Sequence, residues 1–208
     1  MKRLLLIIGL LFIILFNSSV GNTVEPFAEN SNTTIVLLGD SMLKNNSYVK
    51  PGFAVDDLLR KKVESNKTIV NYAHEDAQIV DIYEQLTHVD DSDTNRIFLS
   101  VGGNNIIKNP SSEVNSIFEK YKNLIDAIKT KLPNSKLFLL NIYHINYSKL
   151  NPTIDLWNQL LNNYFYNNSV SGIVDVKSVV SQPTDLTFKI EPSESGGEKI
   201  AVKIRELL

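Results

Sequence analysis

The 208-residue chain contains no cysteine, which excludes disulfides, thiolate metal sites and a cysteine nucleophile together. Histidine is scarce: His74, His88 and His144 are the only three, too dispersed for a zinc motif. A basic excess is missing as well. The 21 Lys and Arg residues against 23 Asp and Glu give a net charge of −2, which offers no positive field to nucleic acid. The basic residues form no stripe and do not interleave with aromatics. No internal repeat or low-complexity block is present, and neither a Gly-x-Gly-x-x-Gly nor a P-loop string follows the first expected strand. No nucleic acid, metal or other cofactor is expected.

What the chain does have is apolar content, 43%, enough for one globular domain with a real core. The N-terminus stands apart. Lys2 and Arg3 precede an apolar run over 4–16, broken only by Gly9, and small residues follow at Ser19 and Gly21. A charged start, a short apolar run and small residues make an export signal. The run is shorter than the roughly 20 residues of a membrane span. Residues 1–21 are therefore read as a signal peptide or N-terminal anchor, with membrane association through 4–16 in the second case. Residues 22–32 form a polar linker, and 33–208 form the domain. A secreted or membrane-anchored location follows. Asn-x-Ser/Thr triplets begin at Asn32, Asn45, Asn66, Asn146 and Asn167. Asparagine is so frequent that chance triplets are expected.

Within the domain, short apolar runs at 34–38, 68–70, 97–101, 137–142 and 172–176 read as strands. Amphipathic stretches lie between them, the clearest carried by Val114, Ile117, Phe118, Tyr121, Ile125, Ile128 and Leu132. Asn151 with Pro152 reads as a helix start. Ser195 with Glu198 reads as a capping box for a last helix. Strands alternating with helices predict parallel crossovers, hence an α/β fold: a three-layer α/β/α sandwich around a five-stranded parallel sheet, flavodoxin-like in form. A site in such a sheet lies at the carboxyl ends of the strands. The loops that matter then begin at Gly39, Asn71, Gly102, Tyr143 and Lys177.

Those loops hold a recognisable set. Gly39-Asp40-Ser41 follows the first strand, "SVGGNN" follows the third, and Pro192-Ser193 precedes the last helix. The pattern resembles the SGNH, or GDSL-type, hydrolases over about 34–208. The resemblance implies a serine esterase or acylhydrolase acting on a small carboxylic ester, such as an acetyl group on a glycan or a short acyl chain. It makes Ser41 the nucleophile and Asn104 the side-chain donor to the oxyanion. Backbone N–H groups of Ser41 and of a residue after the second strand would complete the hole. Asp40 is expected to be structural. Physical chemistry agrees in part. A tetrahedral oxyanion needs preorganised donors about 3 Å away, a carboxamide supplies them without charge, and Gly102 and Gly103 let the chain bend so that Asn104 enters the cleft.

The departures from the family pattern are specific. Glu191 stands where its last-block histidine belongs, and Phe188 where its aspartate belongs. Asp76, or Glu75 if the loop shifts, aligns with the oxyanion glycine of the second block, and Asn105 replaces the acid after the third-block asparagine. The expected catalytic set is thus Ser41 with Glu191 or His144 as base, and the oxyanion set is Gly103, Asn104 and Asp76. Burial beside Phe188 is the expected means of raising the Glu191 pKa toward neutrality. His74 also follows the second strand and is expected as a loop histidine; His88 is expected at a helix end. A catalytically impaired binding module for a glycan or acylated ligand is the alternative, and a nucleotide or phosphate binder ranks last.

Overall fold

The computed structural model describes residues 33–91, 94–109, 113–168 and 170–208; the signal or anchor segment 1–21 and the linker 22–32 lie outside them. In chain order the elements are β1 (Thr33–Gly39), α1 (Val55–Lys62), β2 (Lys67–Asn71), α2 (Ile82–Thr87), β3 (Thr94–Ser100), α3 (Gly103–Lys108), α4 (Val114–Lys131), β4 (Lys136–Leu140), α5 (Asn151–Asn167), β5 (Gly172–Val174), a short pair β6 (Leu186–Thr187) and β7 (Glu191–Pro192), and α6 (Glu194–Arg205).

β1 to β5 form one parallel sheet in the order β2-β1-β3-β4-β5. The central strands are continuous apolar runs because both of their faces are covered: Ile35, Val36, Leu37 and Leu38 of β1 and Ile97, Phe98 and Leu99 of β3 are all buried. Phe98 stacks on Phe138 of β4 with ring centroids 4.9 Å apart. α1 and α6 pack together on one face, and α4 with α2 and α5 on the other. This is the expected three-layer α/β/α sandwich. Strand order reverses between β1 and β3, so the loops after these two strands diverge and leave a crevice at the carboxyl edge.

Two helix starts differ from the sequence reading. Asn151 does not cap α5. It bonds the backbone of Ile145 in both directions, accepting from its N–H and donating to its C=O, each at 3.1 Å. The cap of α6 is Ser193, whose hydroxyl accepts from the Gly196 N–H at 3.2 Å. Ser195 instead donates to the buried Asp185 carboxylate at 3.0 Å, and Glu198 pairs with Lys62. The apolar period locates a helix well. Which of several nearby polar residues caps it depends on partners from elsewhere in the chain.

Candidate active site

The turn after β1 is fixed from three directions. Gly39 has φ +153°, and a Cβ there would lie 2.2 Å from the Ser100 carbonyl oxygen, so no other residue fits. The buried Gln85 side chain clamps Gly39, accepting from its N–H and donating to its C=O, both at 2.8 Å. Asp40 Oδ1 accepts from the Met42 N–H at 3.1 Å and the Ser100 hydroxyl at 2.9 Å. The Asp40 carbonyl accepts from Leu43 and Lys44. Asp40 thus shapes the turn that presents Ser41. Burial pushes its carboxyl up to about 7; the Ser100 and Met42 bonds pull it down and the Glu191 charge adds to the rise.

Ser41 lines a small cleft, with a cavity volume of about 40 Å³, together with Glu191, Gly103 and Asn104. Its apolar walls are Ile107, Ile142, Ile145, Ile154 and Ile190. Two of those walls are held by amide clamps, Ile145 by Asn151 and Ile142 by Asn158, whose side chain bonds the Ile142 N–H at 2.9 Å and C=O at 2.7 Å. Asparagine and glutamine at these positions hold loop backbone in place. The sequence reading missed them, because an amide clamp has no local pattern.

Gly103 and Asn104, which also line the cleft, follow directly on Gly102. Gly102 has φ +120°, and a Cβ there would fall 2.4 Å from the Trp157 ring. The bend it permits starts α3 at Gly103. Asn104 Nδ2 donates to the Ala77 carbonyl at 3.1 Å. That bond fixes the amide and leaves its second N–H for the cleft. Asn105 Oδ1 accepts from the Ile79 N–H at 3.0 Å, tying the loop before α2 to α3. Asp76 adopts φ +61°, a region that favours glycine and that aspartate tolerates better than most residues. It is exposed and outside the cleft lining. Among the described residues, neither the Ser41 nor the Asp76 N–H donates to an acceptor.

Glu191 arrives on β7. Its carboxyl pKa is raised, first by burial and then by the charges of Asp76 and Glu75, while the Ser41 hydroxyl, bonding to it, pulls the value down. Burial beside Phe188 is not the cause. Phe188 is 72% exposed and turns outward onto Tyr48. The carboxylate is covered by the cleft itself, where Tyr143 and Ile190 adjoin it.

The histidines lie elsewhere. His144, the alternative base, is 44% exposed and bonds through Nε2 to Asp155 at 2.7 Å, where Lys177 also pairs. It is not among the residues lining the Ser41 cleft; β4 ends at the right edge, but the next loop turns this side chain toward α5. His74 is exposed, its Nδ1 3.0 Å from the Glu75 carbonyl. His88 caps the end of α2 and stacks on Tyr72. Among the described residues no group of three or more His, Asp or Glu could hold a metal ion, and no helix is long and apolar enough to cross a membrane.

No family model and no curated protein matches the chain. Solved structures do. A member of the lipolytic G-D-S-L family from Veillonella parvula superposes with a TM-score of 0.73 at 17% identity, covering 85% of this chain and 98% of that one. A family 3 carbohydrate esterase from Clostridium thermocellum gives 0.66 at 20% identity, covering 84% and 94%. A mutant acetyl esterase with acetate ion gives 0.69 at 15% identity, covering 84% and 95%. The protein has the fold of the G-D-S-L, or SGNH, hydrolases.

Proposed function

We propose that the protein is a serine esterase of SGNH type that removes a small acyl group, acetyl in the first instance, from an acylated alcohol or glycan. The observation that carries the reading is that Ser41, Glu191 and Asn104 line one cleft at the point where strand order reverses. In the proposed mechanism Glu191, ionised, takes the Ser41 proton as Oγ attacks the ester carbonyl. The oxyanion that forms is held by the free Asn104 N–H and by the Ser41 N–H, with Gly103 beside them; Asp76, outside the cleft lining, takes no part. Protonated Glu191 returns its proton to the leaving alcohol. Water then cleaves the acyl-enzyme with Glu191 again as base. A raised pKa makes Glu191 a stronger base than an ordinary carboxylate. Its charge near a developing oxyanion works against the rate, so a slow enzyme is expected. Similarity to an acetyl esterase and a carbohydrate esterase supports the choice of a small acyl group, as does the size of the cavity.

Labelling by a fluorophosphonate probe tests this. The folded chain should be modified at Ser41 between about pH 5 and 9 and Ser41→Ala should not; no modification of the folded wild type rejects the enzyme reading. The placement of His144 on Asp155, away from the cleft, favours a second reading, a binding module that keeps the cleft without turnover. In that case ligand affinity survives in Ser41→Ala and no acetate is released by either protein.

A further inference from the structure

The turn that carries Glu191 into the cleft runs against backbone preference. Between β6 and β7 the chain reverses through Phe188 and Lys189, closed by a bond from the Ile190 N–H to the Thr187 carbonyl at 3.2 Å. Both central residues have positive φ, 47° and 71°. Turns of this type are ordinarily filled by glycine or asparagine. Phe188 is out of place on a second count, since 72% of its surface is exposed. Strain and an exposed ring coincide at one residue, three positions from the expected base, and such outliers concentrate at functional sites.

The turn is fastened to the loop after β4. The Asn146 N–H donates to the Lys189 carbonyl at 2.8 Å, and the Tyr143 hydroxyl donates to the Ile190 carbonyl at 2.9 Å. Both bonds use backbone carbonyls, so a glycine turn would satisfy them without strain. The side chain is what the strained turn preserves. Phe188 meets the Tyr48 ring edge-on with centroids 6.0 Å apart, and the Lys189 ammonium lies 5.5 Å over the Tyr147 ring. Tyr48 and Phe188 therefore stand together at the turn that carries Ile190 and Glu191 into the cleft, with Tyr147 under the neighbouring Lys189.

A cavity of about 40 Å³ takes an acyl group and leaves the alcohol portion of an ester outside, at this turn. The surroundings decide what that portion is. Burial first, then the charges of Glu191, Glu75 and Asp76, push the Tyr48 hydroxyl up to about 12. A phosphate-bearing alcohol would meet three carboxylates. A neutral ring with apolar faces and hydroxyl edges meets flat aromatic faces and hydrogen-bonding groups.

We propose that Phe188 is a specificity-determining residue, its exposed ring, braced edge-on by Tyr48, being the platform on which a sugar ring of an O-acylated glycan stacks. This deepens the esterase reading and rests on it for the placement of the acyl group. Its test does not need turnover. Titration of O-acetylated xylo-oligosaccharide into Ser41→Ala, by calorimetry, should show binding that Phe188→Ala in the same background weakens about five- to tenfold. Phe188→Gly should bind as weakly as Phe188→Ala yet melt about 2–4 °C higher, because only glycine relieves the left-handed backbone. Equal affinity with and without the Phe188 ring overturns the proposal, as does an absence of binding in Ser41→Ala. So does phosphatidylcholine vesicle binding that depends on Phe188 while the sugar does not bind. A Phe188→Gly melting point at or below that of Phe188→Ala overturns the strain argument. Glycan binding that depends on Phe188 in a protein that never reacts with fluorophosphonate would uphold the platform and reject the esterase.

Discussion

A serine hydroxyl reacts at neutral pH only if something nearby accepts its proton, and at Ser41 the residue in place is Glu191. Glu191→Gln keeps the shape and loses the base, so kcat on a small acetate ester should fall about 10²–10⁴-fold; a smaller loss leaves the proton with another group. Because the Glu191 pKa is raised by burial and by Asp76 and Glu75, the wild-type kcat/KM should rise with pH along a limb above the ordinary carboxylate range, and in Glu191→Gln that limb should vanish. Asp40 makes a separate, stability-linked prediction. Its folded pKa is raised from 3.8 to about 7, so the neutral form is favoured by folding. That contribution is complete below about pH 4 and is lost as pH climbs through 7. Asp40→Asn can still accept the Met42 and Ser100 bonds at Oδ1. It should therefore gain melting temperature relative to wild type at pH 8 and lose that advantage near pH 4, as a thermal-denaturation series at several pH values would reveal.

Elements hold the site through close approaches that only glycine allows. The loop between β3 and α3 passes so near Trp157 that a Gly102 Cβ would lie 2.4 Å from its ring. Trp157 is fully buried, edge-on to Phe118 and Tyr121 with centroids 5.1 Å away in each case, so it has no room to yield. Gly102→Ala should destabilise by about 1–3 kcal/mol and move Asn104, lowering kcat more than it raises KM. Gly103→Ala meets nothing within 4 Å and should leave the melting temperature nearly unchanged. If the two variants melt alike, the crowding argument fails. The sequence reading treated Gly102 and Gly103 as one flexible pair. The positive φ and the ring belong to the first alone, because the ring comes from α5, more than fifty residues away.

For the whole molecule, hydrophobic period and strand–helix alternation were enough to anticipate a five-stranded parallel sheet in three layers, since burial on both faces writes an unbroken apolar run into each central strand. The expected boundaries also fall close: the strand read at 34–38 is Thr33–Gly39, and that read at 172–176 ends at Val174. Among the Asn-x-Ser/Thr triplets, Asn45 is fully buried, with its side chain bonded to Pro192 and Val55, so it should carry no glycan in folded protein expressed in a glycosylating host, as glycopeptide mass spectrometry would show. Export through residues 1–21 remains a proposal read from sequence; recovery of the full chain only from the cytosol would end it.

The sequence by itself determined the layered architecture and the edge of the sheet where chemistry would sit, because these depend on local period and strand ends; the candidates Ser41, Asn104 and Glu191 came from the resemblance of their motifs to the SGNH pattern. Only the tertiary structure decided which candidates meet. It brings Glu191 to Ser41 across roughly 150 residues of chain, turns His144 away to Asp155, and exposes Phe188 on a strained turn instead of packing it over the carboxylate. The direction of a side chain leaving a loop is set here by amide side chains that bond loop backbone, Gln85 across 46 residues to Gly39, Asn158 across 16 to Ile142 and Asn151 across 6 to Ile145, and no local pattern marks them.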